Sequence, residues 1–111
     1  MSARLSARLS SCFAALKAQN RAGLIAYVMG GDPDWQSSLD IARALIANGA
    51  DILELGFPFS DPMADGPAIQ AASERALKAG ATLVTVLQLA AEIRRTDQTT
   101  PLVLMGYLNP V

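Results

Sequence analysis

The sequence predicts an α/β fold built on a parallel sheet. Two observations predict it. Short continuous apolar runs at Leu24–Met29, Ile52–Gly56 and Leu102–Met105 read as buried strands, since they are brief and rich in branched and aromatic side chains. Between them lie longer stretches whose apolar residues recur every three or four positions, the mark of amphipathic helices. Strands alternating with such helices imply parallel pairing through right-handed crossovers.

The elements follow in order. A leading helix over residues 2–18 carries a stripe of Leu5, Leu9, Cys12, Phe13 and Leu16, with Cys12 expected to be buried and inert. Asn20-Arg21-Ala22-Gly23 breaks it before the first strand. Gly30-Gly31-Asp32-Pro33 is turn chemistry. It lacks the glycine and lysine spacing of a phosphate loop, so Asp32 is expected to act locally. Asp34 caps a helix with an apolar face of Leu39, Ala42, Leu45 and Ile46, and Gly49 stops it. After the second strand, a loop rich in Pro, Asp and Gly runs from Phe57 to Pro67. Two helices follow, Pro67–Lys78 and Leu83–Arg94, the second with a stripe of Leu83, Val86, Leu87, Ala90 and Ile93. Polar residues Thr96–Thr100 lead into the third strand.

Composition narrows the function. Hydrophobic residues make up 51% of the 111 and charged residues 17%, which excludes intrinsic disorder. Nine Lys plus Arg against ten Asp plus Glu leave a net charge of −1, without the basic excess of a nucleic-acid binder. The absence of His removes His metal sites, His general bases and Ser-His triads. The single Cys12 cannot form an internal disulfide, which favours a reducing compartment. No apolar run reaches the roughly 18 residues of a membrane span, and Arg4 and Arg8 lack the apolar core of a secretory signal after them.

Glu54 is the most informative residue. It stands between Leu53 and Leu55 in an apolar strand, where a carboxylate is costly unless paired, hydrogen-bonded or protonated. Functional groups of parallel α/β folds gather at the carboxyl ends of strands, and Glu54 lies near that end. Desolvation there favours the protonated form and suits a general acid or base. The competing reading is a structural carboxylate satisfied by a backbone amide or an Arg. Asp61 and Asp65 fall in the following loop. Local chemistry favours turn formation for both, with Asp65 as a cap before Pro67. Yet the loop leaves the same strand end as Glu54, so two carboxylates could surround one small substrate. Tyr27 and Met105, inside strands, read either as pocket lining or as core.

These residues together resemble one family. Leu-Glu-Leu-Gly-Phe-Pro-Phe-Ser-Asp-Pro-Met-Ala-Asp-Gly-Pro from Leu53 to Pro67, followed by Ile69-Gln70, is similar to the signature of the tryptophan synthase α subunit family. Gly31-Asp32-Pro33 and Met105-Gly106-Tyr107-Leu108-Asn109-Pro110 match two further regions of that family. The resemblance implies a (β/α)8 TIM barrel preceded by a helix. This chain, one domain over residues 1–111, supplies that helix and the first three strands with their helices. It implies a cytoplasmic lyase of tryptophan biosynthesis that cleaves indole-3-glycerol phosphate by a retro-aldol reaction into indole and glyceraldehyde 3-phosphate. No metal or organic cofactor is implied in this subunit; pyridoxal phosphate belongs to the β subunit, the implied partner. Neither nucleic acid nor membrane is implied as a partner.

Residue by residue, the resemblance makes Glu54 the acid–base group and Asp65 the carboxylate that holds the indole N–H, which overrides the capping reading. Tyr27, Met105 and Tyr107 line the indole pocket, with Tyr and Met where other members often carry Phe and Leu. Pro58, Asp61, Pro62 and Asn109 fall on the face that docks the β subunit. A barrel of this type needs roughly 250 residues, so the expectation is an N-terminal part of a longer subunit, without the phosphate site. The alternative is an inactive interaction module that keeps only the docking loop.

Overall fold

The computed structural model describes residues 6–107. In chain order the elements are α1 (Ala7–Ala18), β1 (Ile25–Met29), α2 (Trp35–Ala47), β2 (Ile52–Gly56), α3 (Pro67–Lys78), α4 (Leu83–Arg94) and β3 (Leu102–Met105). Caps account for several of these bounds. The Asp34 carboxylate accepts from the Ser37 N–H at 2.8 Å and opens α2 as expected. Thr82 and Thr85 form a reciprocal capping box at the start of α4. In the polar linker before β3, Asp97 accepts from the Thr99 and Thr100 N–H groups, each at 3.0 Å. Partial burial pushes its pKa up, but the hydrogen bonds from Thr100 and Thr99 outweigh that and hold it down at about 2.

The three strands are parallel, in the order β1-β2-β3. Tyr27, Glu54 and Val103 share one rung, and Met29, Gly56 and Met105 share another. Side chains alternate across a strand, so these two rungs present one face of the sheet. On the opposite face Val28, Leu53 and Leu55 pack against Leu39 and Ala42 of α2 and Val86, Leu89 and Ile93 of α4. Trp35 joins the two helices by donating its indole N–H to the Thr85 carbonyl at 2.9 Å. The Tyr27–Glu54 face has thinner cover: Ala72 and Ala76 of α3, with Ala81, pack against Met29. Among the described residues no single helix is long and apolar enough to cross a membrane.

Three local expectations are corrected. Leu87 is 46% exposed while Leu89 is fully buried, so the α4 stripe runs through Val86, Leu89 and Ile93. Cys12 is half-buried rather than buried, with its thiol donating to the Asp51 carbonyl at 3.6 Å. Asp32 does not act locally. Its carboxylate accepts from Arg75 Nε at 2.8 Å and Nη2 at 3.1 Å, 43 residues away, tying the turn after β1 to α3. That turn places Gly31 at φ +90°, against the Ala81 methyl, where only glycine fits without strain. Of the leading stripe, Leu5 lies outside the described residues; Leu16 is buried and Phe13 exposed.

The α4 correction carries a prediction. Leu89→Ala is expected to destabilise the fold by about 3 kcal/mol through lost burial and the cavity left behind. Leu87→Ala is expected to change stability by no more than about 0.5 kcal/mol. Urea unfolding midpoints of the two variants check both numbers.

Candidate active site

At the carboxyl end of the sheet lies a cavity of about 390 Å³. Tyr27 and Met29 of β1 and Met105 of β3 contribute from the sheet, with Gly106 and Tyr107 just beyond β3. Phe57, Phe59, Ala64 and Asp65 come from the loop after β2, and Ile69 and Ser73 from α3. The walls are mainly apolar, and Asp65 is the charged residue among them. Such a site suits a flat apolar ligand that presents one polar group to the carboxylate.

The loop is strapped from three sides. The Ser73 hydroxyl, 1% exposed in mid-helix, accepts from the Phe59 N–H at 3.2 Å and donates to the Phe59 carbonyl at 3.1 Å. One side chain thus satisfies both polar groups of a half-buried loop residue. The Gln70 amide donates to the Asp65 carbonyl at 2.8 Å and to the Pro62 carbonyl at 3.3 Å. Across the cavity the Tyr107 hydroxyl accepts from the Ala64 N–H at 2.8 Å, and its ring lies 5.5 Å from that of Phe59. Ser73→Ala leaves the Phe59 groups without partners. It is expected to destabilise the chain by about 1–3 kcal/mol and to speed amide exchange at Phe59, read by hydrogen-exchange NMR.

Asp65 does not cap α3. Gly66 is the N-cap and no side-chain cap bond is present, so the local capping expectation fails and the carboxylate is left on the cavity wall. Glu54 is half-buried. Its strand is apolar, but its face of the sheet is only partly covered, so the carboxylate is not sealed from water. Among the described residues it takes part in no side-chain hydrogen bond or ion pair, so none of their Arg side chains or backbone amides holds it in the way the structural reading expects.

Glu54 is not part of the cavity wall. Tyr27, which shares its rung, does line the cavity. A methyl added at Gly56 would overlap the Tyr27 hydroxyl, so the phenol passes over the bare Gly56 Cα, one rung beyond Glu54. Burial, followed by the negative charges of Asp65 and Glu54, pushes the Tyr27 pKa up to about 12. The phenol therefore feels both carboxylates and stays protonated at neutral pH.

The fold thus gathers Tyr27, Asp65, Met105 and Tyr107 around one cavity, with Glu54 beside Tyr27 on the same rung. Of the residues expected on the docking face, Asp61 is exposed, Pro62 half-buried and Pro58 buried. Asn109 lies outside the described residues. Sequence reasoning missed Ser73, because nothing marks a mid-helix serine as a loop anchor. It also missed Met29, which the two-residue strand period from Tyr27 could have found. Among the described residues no group of three or more His, Cys, Asp or Glu is placed to hold a metal ion.

The sequence matches the family model for the tryptophan synthase alpha chain over residues 13–111. It is 60% identical over 104 residues to a tryptophan synthase alpha chain of Caulobacter vibrioides, covering 94% of this chain and 38% of that relative. The chain therefore spans well under half the length of the curated relatives it matches. The structure is similar to tryptophan synthase subunit alpha from Legionella pneumophila, with a TM-score of 0.92 and 44% identity over 96% of this chain and 40% of that one. It is also similar to a chain of tryptophan synthase from Mycobacterium tuberculosis in its aminoacrylate-bound form, with a TM-score of 0.86 and 39% identity over 96% of this chain and 42% of that one. These likenesses make the three strands and their helices the N-terminal part of a (β/α)8 barrel.

Proposed function

The chain belongs to the tryptophan synthase alpha chain family, and we propose that it supplies the acid–base and indole-holding end of a site that cleaves indole-3-glycerol phosphate. The reading is carried by one observation: an apolar cavity whose charged wall residue is Asp65, with the Glu54 carboxylate, which has no side-chain partner among the described residues, beside Tyr27 on the same sheet face.

In this reading the indole ring lies among Phe57, Phe59, Ile69 and Met105, and its N–H donates to Asp65. Protonation of indole C3 places positive charge on the ring nitrogen, and the Asp65 carboxylate stabilises it at short range in an apolar setting. Glu54 moves the protons. It delivers one to C3 and removes one from the hydroxyl on the first glycerol carbon. The bond between C3 and that carbon then breaks, the carbon becomes the aldehyde of glyceraldehyde 3-phosphate, and the electron pair restores the indole. Among the described residues the cavity wall carries no Lys or Arg, and the phosphate is assigned to other parts of an alpha chain. The reaction calls on no cofactor in this chain. The exposed Asp61 and neighbouring Pro62 face a β subunit, whose pyridoxal phosphate site receives the indole. Because Tyr107 and Ser73 hold the same loop that carries Asp61 and Asp65, docking and the site share one segment.

Titrating indole into the isotope-labelled chain tests the binding half of this reading. Saturable shifts are expected at Asp65, Ile69 and Tyr107, weakened in Asp65→Asn. Absence of shifts, or shifts confined to the α2–α4 side, would contradict it.

A further inference from the structure

Among the described residues three hydroxyl-bearing side chains line the cavity, those of Tyr27, Ser73 and Tyr107. Ser73 is engaged with both polar groups of Phe59, while Tyr107 accepts from the Ala64 N–H and keeps its own proton to donate. Among the described residues the Tyr27 hydroxyl has no partner. It is not sealed either, since no buried side-chain oxygen or nitrogen lacks a hydrogen bond. It stands over Gly56, and the residues flanking Gly56 on its rung, Met29 and Met105, both line the cavity. The hydroxyl therefore sits mid-floor in a largely apolar site, over the rung that follows Glu54 on the same face. Packing over Gly56 accounts for the ring. It does not account for the oxygen, because a phenylalanine would cover the same glycine.

We propose that the Tyr27 hydroxyl is a further ligand-binding group, which hydrogen-bonds a hydroxyl on the side chain a ligand carries at indole C3. The site then favours 3-hydroxyalkyl indoles over 3-alkyl indoles. This rests on the reading above, in which the indole N–H occupies Asp65 and Glu54 works at the first side-chain hydroxyl. A ligand hydroxyl within reach of Glu54 must pass the phenol that covers the next rung. The phenol remains protonated far above neutral pH, so it both donates to and accepts from such a group.

The test compares two ligands that differ in one hydroxyl, 2-(indol-3-yl)ethanol and 3-ethylindole, titrated into the chain and into Tyr27→Phe. The wild-type chain is expected to bind the alcohol about five- to tenfold more tightly than 3-ethylindole. In Tyr27→Phe that preference is expected to vanish while 3-ethylindole affinity stays within about twofold. An equal preference in both proteins overturns the proposal. So does an equal weakening of both ligands, or loss of cooperative unfolding in Tyr27→Phe, since either makes the hydroxyl a packing or folding group. If neither ligand binds the wild-type chain, the functional reading itself fails and this inference falls with it.

Discussion

Glu54→Gln is expected to lower indole release from indole-3-glycerol phosphate by about 10²- to 10⁴-fold, the range for losing a positioned general acid–base group. The substitution keeps size and shape and removes only the ability to carry the proton. Glu54 is half-buried and, among the described residues, in no ion pair or side-chain hydrogen bond, so the fold loses no contact that its charge makes. Stability is therefore expected to stay within about 0.5 kcal/mol of wild type, and KM is expected to change little. A large kcat loss at constant stability separates an acid–base role from a structural one. The assay belongs in an alpha chain of the relatives' length that carries these 111 residues, with unfolding midpoints measured alongside.

Asp65→Asn is expected to cost about 10²- to 10³-fold in kcat, typical of removing one electrostatic stabiliser of a charged transition state. The amide still reaches the indole nitrogen but no longer offsets positive charge. Two readings of Asp65 separate cleanly here. A helix cap would cost about 1 kcal/mol of stability when lost. In the structure the N-cap of α3 is Gly66, with no side-chain cap bond, so the variant is expected to unfold at the wild-type midpoint. Its effect should appear in turnover and in indole affinity instead.

Much of the fold was legible because its boundaries are set by local chemistry. Glycine and proline punctuate β2, α3, α4 and β3, and those four elements span the residues the apolar patterns predict. Asp34 caps α2 through a contact three residues long. What escaped is what depends on distant partners. Leu87 and Leu89 both suit a helical stripe. Which one is buried is decided by where α4 meets β2 and α2. Asp32 resembles a turn former until α3 brings Arg75 to it. Ser73 has no local signature, since its role exists only where Phe59 passes beside the helix.

The candidate site divides in the same way. Glu54 stood out because a carboxylate in an apolar strand violates a local rule. Asp65 was locally indistinguishable from a cap, and the family motif around it pointed elsewhere. The passage of the Tyr27 phenol over Gly56, beside Glu54, was legible from neither, because it needs the register that sets Tyr27, Glu54 and Gly56 on one face.

The most direct measurement is product formation from indole-3-glycerol phosphate by an alpha chain of the relatives' length carrying residues 1–111, with no β subunit present. Indole and glyceraldehyde 3-phosphate are expected in equal amounts, with the rate falling by about 10²- to 10⁴-fold in Glu54→Gln. No indole from the folded wild-type protein, or indole release that Glu54→Gln leaves unchanged, would contradict the proposed chemistry.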